Sequence, residues 1–217
     1  MTKIAILGGA FNPPTLAHIQ VAEFVLEKGK FDEVWLLPCN KHRFGKNLEL
    51  NLHRLRMCAI ACRKNPKLHV FDYEIRHELS GSTFELVQTL LKDPQLDVDI
   101  SFIIGADNVN NFINWHNFKK LREIAKFVVV TRSGIELKKK YRWYKNPPHL
   151  FLDVEDKITE CSSTMARDHF KKHGRSDFLP YLDEEVQRYI QDHCLYVPSE
   201  EVQMKETHNR KGWLHGK

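Results

Sequence analysis

Short runs of apolar and β-branched residues recur at Lys3–Leu7, Val34–Leu37, Leu68–Phe71, Ile100–Ile104, Phe127–Thr131 and Leu150–Leu152. Each has the length of a strand, and the first five are separated mainly by helix-like stretches. The helices read as Leu16–Lys28, Asn51–Lys64, Thr83–Leu91, Asn117–Glu123, Thr164–Lys172 and Asp183–His193. Their apolar spacing, such as Val21, Phe24 and Val25, or Leu55, Cys58, Ala59 and Cys62, turns one face to a core. This alternation predicts an α/β protein with a parallel sheet wrapped by helices. Residues 133–149, with Lys138, Lys139, Lys140, Arg142, Trp143 and the pair Pro147-Pro148, read as a mobile surface loop, and the chain is polar and aperiodic from Pro198.

Composition narrows the class. At 217 residues and 42% hydrophobic, the chain supports one sizeable core and is short for two. A single domain over residues 1–197 with a polar tail over 198–217 is expected, the tail being a candidate contact in a homo-oligomer. Thirty-three Lys and Arg against 28 Asp and Glu leave a scattered net charge of +5, which suits phosphate-bearing ligands without demanding nucleic acid. No run approaches the roughly 18 apolar residues that span a bilayer, and the N-terminus enters a strand directly, so a cytoplasmic location without membrane contact is expected. The five cysteines are odd in number and include no CxxC pair, which argues against a disulfide framework and a structural zinc site. Cys58 and Cys62, four apart on a helix, read as buried thiols.

The chemistry concentrates where strands end, since ligands of an open parallel sheet bind beyond the carboxyl ends of its strands. After the first run comes Gly8-Gly9-Ala10-Phe11-Asn12-Pro13-Pro14-Thr15-Leu16-Ala17-His18. Two glycines let backbone N–H groups approach an anion, Thr15 can cap the following helix, and His18 falls three positions on, so both side chains can face one phosphate. Cys39, Asn40, Lys41, His42 and Arg43 follow the second run, Gly105, Ala106 and Asp107 the fourth, and Arg132 the fifth. Ser162, Ser163 and Thr164 precede a helix that carries Arg167 one turn later. Cations, hydroxyls and helix N-termini thus gather at one edge, as a triphosphate and a second phosphate require.

These residues resemble the nicotinate/nicotinamide mononucleotide adenylyltransferases of the H/TxxH nucleotidyltransferase superfamily, from about Lys3 to Tyr196. The opening turn is similar to GGxFxPxHxGH, with Thr15 and His18 at the two phosphate-site positions, and Cys161 to Arg167 is similar to ISSTxxR. Phe102 to Asp107 with Trp115 resembles the FIIGxD...W block, and Gly81-Ser82-Thr83 resembles the GxSYT turn. Val130 to Gly134 resembles VxxRxG, Arg54 with Met57 resembles RxxM, and Leu179 to Tyr196 resembles LPxxVxxYIxxxxLY. Departures are Asn12 for aspartate, Ala17 for glycine, serine for the tyrosine of the pyridine-site turn, and no double proline before His42.

The resemblance implies a Rossmann-like, doubly wound parallel sheet of the nucleotidyltransferase type. It implies AMP transfer from ATP to nicotinate or nicotinamide mononucleotide, with Mg2+ carried on the ATP phosphates and no dedicated metal site. His18, Thr15 and Arg167 take the catalytic positions. Gly8, Gly9, Ala10, Phe11, Gly105, Asp107, Ser163 and Thr164 fall at ATP positions, and Asn12, His42, Arg43, Thr83, Trp115 and Arg132 at mononucleotide positions. Another adenylyl- or cytidylyltransferase, such as one acting on phosphopantetheine, would share the Thr15/His18 turn but not the Gly105–Asp107 and Trp115 block. A non-catalytic nucleotide-binding module, or a nucleic-acid binder using the basic loop, remains a different class of alternative.

Overall fold

The computed structural model describes residues 1–42, 45, 47–131, 137, 142–154, 158–159, 161–173 and 178–197. Six parallel strands form one sheet: β1 (Thr2–Gly9), β2 (Glu33–Pro38), β3 (Leu68–Val70), β4 (Val98–Gly105), β5 (Lys126–Val130) and β6 (Leu150–Leu152). The spatial order is β3-β2-β1-β4-β5-β6. The chain therefore builds outward from β1 to one edge, returns, and lays β4 on the other flank of β1. That reversal opens a crevice above the carboxyl ends of β1 and β4, the topological switch point at which doubly wound sheets bind ligands.

Side chains alternate across the sheet. Ile4, Ile6, Phe102, Ile104, Phe127 and Val129 face one cluster, while Ala5, Ile103, Val128 and Val130 face the other. Both faces are buried, which is why the strands read as nearly continuous apolar runs. Helices α1 (Leu16–Lys28) and α2 (Asn51–Cys62) pack on the second face, and α4 (Thr83–Leu90) and α6 (Phe118–Ile124) on the first. A third cluster joins Met57 and Ala61 of α2 to Ala166 and Phe170 of α7 (Ser163–His173) and Val186 and Ile190 of α8 (Glu184–Asp192). None of the helices among the described residues is long and apolar enough to cross a membrane.

Three expectations are corrected. Two short helices, α3 (Tyr73–Arg76) and α5 (Ala106–Asn111), occupy segments with no helical periodicity. The buried face of α2 is Arg54, Met57, Cys58, Ala61 and Cys62, with Ala59 exposed, so the expected Leu55/Ala59 stripe is displaced. Arg54 spends its charge on internal carbonyls and so behaves as a core residue. The end of the expected surface loop is also structural. Trp143 lies with its ring centroid 4.6 Å from Phe112 and 5.5 Å from Phe127, and Tyr144 is buried, because β5 needs large rings to cover its apolar face. Arg132, residues 133–136 and 138–141 of that loop, and the 198–217 tail lie outside the described residues.

Candidate active site

The turn after β1 fixes a histidine by hydrogen bonds. Thr15 is the N-cap of α1 in extended conformation, and its backbone N–H donates to His18 Nδ1 at 3.0 Å. The Thr15 hydroxyl lies 2.8 Å from the same nitrogen. A ring nitrogen that accepts a backbone amide proton carries none itself, so the neutral imidazole holds its proton on Nε2. Phe11, at φ 45°, sets its ring 5.1 Å from the imidazole. Leu16 N–H donates to Tyr181 O at 2.9 Å, which ties this helix start to the C-terminal region.

The second half of the site comes from far along the chain. Arg167 Nη1 donates to Asn12 O at 2.8 Å across 155 positions of sequence, and Nη2 approaches Thr164 Oγ1 at 3.3 Å. Ser163 Oγ donates to Pro13 O at 2.7 Å. The first turn of α7 and the β1 turn therefore hold each other directly. Asn12 is 3% exposed, and its Oδ1 accepts from Glu49 N–H at 3.2 Å and from the Tyr196 hydroxyl at 2.8 Å. Burial pushes the Tyr196 phenol far above its ordinary value, so it serves as a donor at any working pH.

Two adjoining cavities open at the switch point. The first, about 350 Å3, is lined by Asn12, His18, Gly105, Asp107, Ser163, Thr164 and Arg167 among others. The second, about 530 Å3, includes Gly9, Lys41, Glu74, Gly81, Thr83 and Trp115. Gly8, Ala10, His42, Ile103 and Asn108 line both, so the two are lobes of one site. A Cβ at Gly8 would meet only Leu37 at 4.0 Å, so the glycine leaves room on the ligand side. A Cβ at Gly105 would stand 2.6 Å from Asp107 Oδ1, so that glycine lets the carboxylate fold over the start of α5.

The sequence-derived candidates thus converge, with qualifications. Phe11 and Thr15 line neither cavity, and both contact His18. Asn12 lines the first lobe, away from Trp115, and its side-chain oxygen is already engaged. Arg43 and Arg132 lie outside the described residues.

Two polar residues that line the site, Asn108 and Glu74, were not singled out from sequence, and a third beside it, Arg54, was singled out only through its resemblance to the RxxM helix start. Asn108 is shared by both lobes, on a helix too short to show a pattern. Arg54, fully buried, donates to Ala10 O at 2.8 Å, Cys39 O at 2.7 Å and Glu49 O at 3.1 Å, clamping the loops after β1 and β2. The RxxM resemblance marked this residue, and a charge on the core face of α2 three residues before Met57 fits the buried clamp it forms. Glu74 is 5% exposed, with Oε2 accepting from Asn40 N–H at 3.2 Å. Burial is the main force pushing its carboxyl up to about 7, with nearby Glu85 adding to it and Asn40 and Arg54 opposing.

Residues 6–169 match the cytidylyltransferase-like family. A Bacillus licheniformis protein named probable nicotinate-nucleotide adenylyltransferase is 35% identical over 198 residues, which cover 90% of this chain and 99% of that one. The Bacillus subtilis nicotinate-nucleotide adenylyltransferase is 32% identical over the same shares. Among solved structures, Plasmodium falciparum nicotinic acid mononucleotide adenylyltransferase complexed with NaAD has a TM-score of 0.77 at 24% identity, covering 90% of this chain and 98% of that one. That likeness extends to the fold.

Proposed function

The chain belongs to the nicotinate-nucleotide adenylyltransferases of the cytidylyltransferase-like family, and we propose from its site that it joins nicotinate or nicotinamide mononucleotide to the AMP moiety of ATP. One observation supports this most. His18 and Arg167 border one lobe, Thr83 and Trp115 the other, and the small residues Gly8 and Ala10 stand between them. Two phosphate-bearing substrates placed in the lobes bring their reacting groups together at that shared wall.

An oxygen of the mononucleotide 5′-phosphate attacks the α-phosphorus in line. A new P–O bond forms, the bond from the α-phosphorus to the bridging oxygen breaks, and pyrophosphate leaves with the electron pair. The attacking oxygen is already anionic, so no general base is required. Catalysis comes from alignment and charge neutralisation. His18 Nε2–H donates to the α-phosphate, Thr15 holds the ring, and Ser163, Thr164 and Arg167 receive the β- and γ-phosphates at the start of α7. Gly8, Ala10 and Gly105 give ATP close backbone approach, while Gly9, expected at an ATP position, borders the mononucleotide lobe instead. Thr83 and Trp115 take the pyridine end, the tryptophan by stacking, and His42 faces the mononucleotide phosphate.

A divalent cation, Mg2+, fits this donor set only as a partner of the substrate. Asp107 is the one carboxylate among the described residues of the first lobe, and no three His, Cys, Asp or Glu among the described residues are grouped to hold a metal. Asp107 is the side chain that would help hold such an ion, which when bound with ATP would supply neutralisation of the phosphate charge. Residues 1–197 make up the nucleotidyltransferase unit, with 198–217 as a tail. The five cysteines are free thiols, which suits a reducing, cytosolic setting.

The test is incubation with ATP, Mg2+ and each mononucleotide in turn, following dinucleotide and pyrophosphate. Stoichiometric appearance of both supports the reading. Pyrophosphate released only with phosphopantetheine transfers the protein to a sister activity, and nucleotide binding without product makes it a non-catalytic module.

A further inference from the structure

The two pyridine mononucleotides differ in one group, a carboxylate against a carboxamide at the ring's 3-position, and the second lobe contains one acidic side chain among its described lining residues. That residue is Glu74. Its position is built rather than incidental. Its backbone oxygen accepts from Leu79 N–H at 2.9 Å, and its side chain accepts from Asn40 N–H, whose own amide donates from Nδ2 to Leu79 O at 2.9 Å. Leu79 leads directly into the 80–83 turn, whose Gly81 and Thr83 line the same lobe as Trp115. Glu74 is therefore braced on the segment that forms the pyridine end, with no ion pair to a cation among the described residues. The Asn40 amide is a neutral donor, and among the described residues the positive charge that acts on the carboxyl is that of Arg54, which burial outweighs.

We propose that Glu74 is a specificity-determining residue for the pyridine 3-substituent: as a carboxylic acid it donates a hydrogen bond to nicotinate, and as a carboxylate it repels nicotinate and accepts from the nicotinamide N–H instead. The inference rests on the adenylyl-transfer reading and deepens it. The proton responsible moves between Glu74 and solvent, with no covalent change. Burial keeps that proton on the group up to about neutrality, so the selectivity swings inside the range where the protein is studied. Other titratable or charged groups also face this corner: Cys39, Lys41 and His42 from the loop after β2, Arg54 from α2, and Glu85 from α4. Protonation of His42 would favour nicotinate in the same direction, so the test must separate the two.

The measurement is the ratio of kcat/KM for nicotinate over nicotinamide mononucleotide between about pH 6 and pH 8.5, using inhibition constants where one is turned over too slowly. Titrations common to both substrates, including the phosphate near pH 6, cancel in the ratio. The expected result is a fall of roughly tenfold or more as pH rises in the wild type, and a flat ratio in Glu74→Gln, whose amide both donates and accepts at every pH. A flat wild-type ratio overturns the inference, as does a Glu74→Gln slope equal to the wild type, which would assign the effect to another group such as His42. Failure to convert either mononucleotide at any pH would instead bring down the adenylyl-transfer reading on which the inference stands.

Discussion

At His18 a single lone pair decides the chemistry. Because Nδ1 is engaged by the Thr15 amide and hydroxyl, the ring proton lies on Nε2, the donor that the proposed reaction gives to the α-phosphate. Removing one preorganised donor of this type costs about 10²–10³ in turnover, so His18→Ala should lose that factor in kcat while folding normally. Near-wild-type turnover would take His18 out of the reaction. Trp115→Ala should raise the KM of the mononucleotide more than that of ATP, because stacking is lost at the pyridine end alone; equal changes in both would dismiss the stacking role. Glu74 carries a stability consequence as well. Its carboxyl goes from an ordinary 4.5 to about 7 in the folded protein. Between those values the unfolded chain ionises while the folded one keeps its proton, so stability falls as pH rises, by on the order of 3 kcal/mol at completion. Glu74→Gln should therefore melt higher than the wild type at about pH 8, and at the same temperature below about pH 4.5, in calorimetry at each pH.

Among the elements, α8 shows how a helix start can be tested separately from catalysis. Asp183 caps it by accepting from Glu185 N–H at 2.9 Å and Val186 N–H at 3.4 Å, and it also meets Lys64 Nζ at 2.7 Å. Burial alone would raise its carboxyl, but the Lys64 bond and the two amides outweigh burial and hold it below the usual 3.8. Asp183→Ala should cost about 1 kcal/mol of stability. The depressed carboxyl stabilises above its unfolded value, so the difference from wild type should shrink as the pH drops through the folded value. A chemical-denaturation series from neutral to acid pH measures this. The strands and the six longer helices were legible from sequence because burial on both sheet faces and the 3.6-residue repeat leave clear patterns. The short helices α3 and α5 were not legible: four and six residues show no repeat, and tertiary contacts hold them. The same limit hid Glu74 and Asn108, which sit on those two elements. Trp143 was misread because local composition, lysines and prolines, says nothing about a distant apolar face such as Phe127. That His18, Ser163, Thr164 and Arg167 come together was readable because close backbone approach and capping demand particular residue types in fixed order.

Across the whole molecule the site is a junction between parts that the sequence keeps apart. Ligands that bridge them should stabilise the folded state as a unit. ATP at about 100 times its dissociation constant should add roughly 2.7 kcal/mol, a rise of about 5–10 °C in Tm for a chain of this size. In Arg167→Ala most of that rise should vanish at the same ATP concentration; an undiminished shift would mean that ATP is held elsewhere. The Tyr196 hydroxyl on Asn12, 184 positions apart in sequence, has a further consequence. On the ribosome the glycine turn emerges early, yet its brackets, from Ser163 to Tyr196, are among the last of these residues to be translated. A polypeptide that ends before residue 163 therefore lacks the Ser163, Arg167 and Tyr196 hydrogen bonds that hold the glycine turn, so the turn takes its final form only after most of the chain has been made.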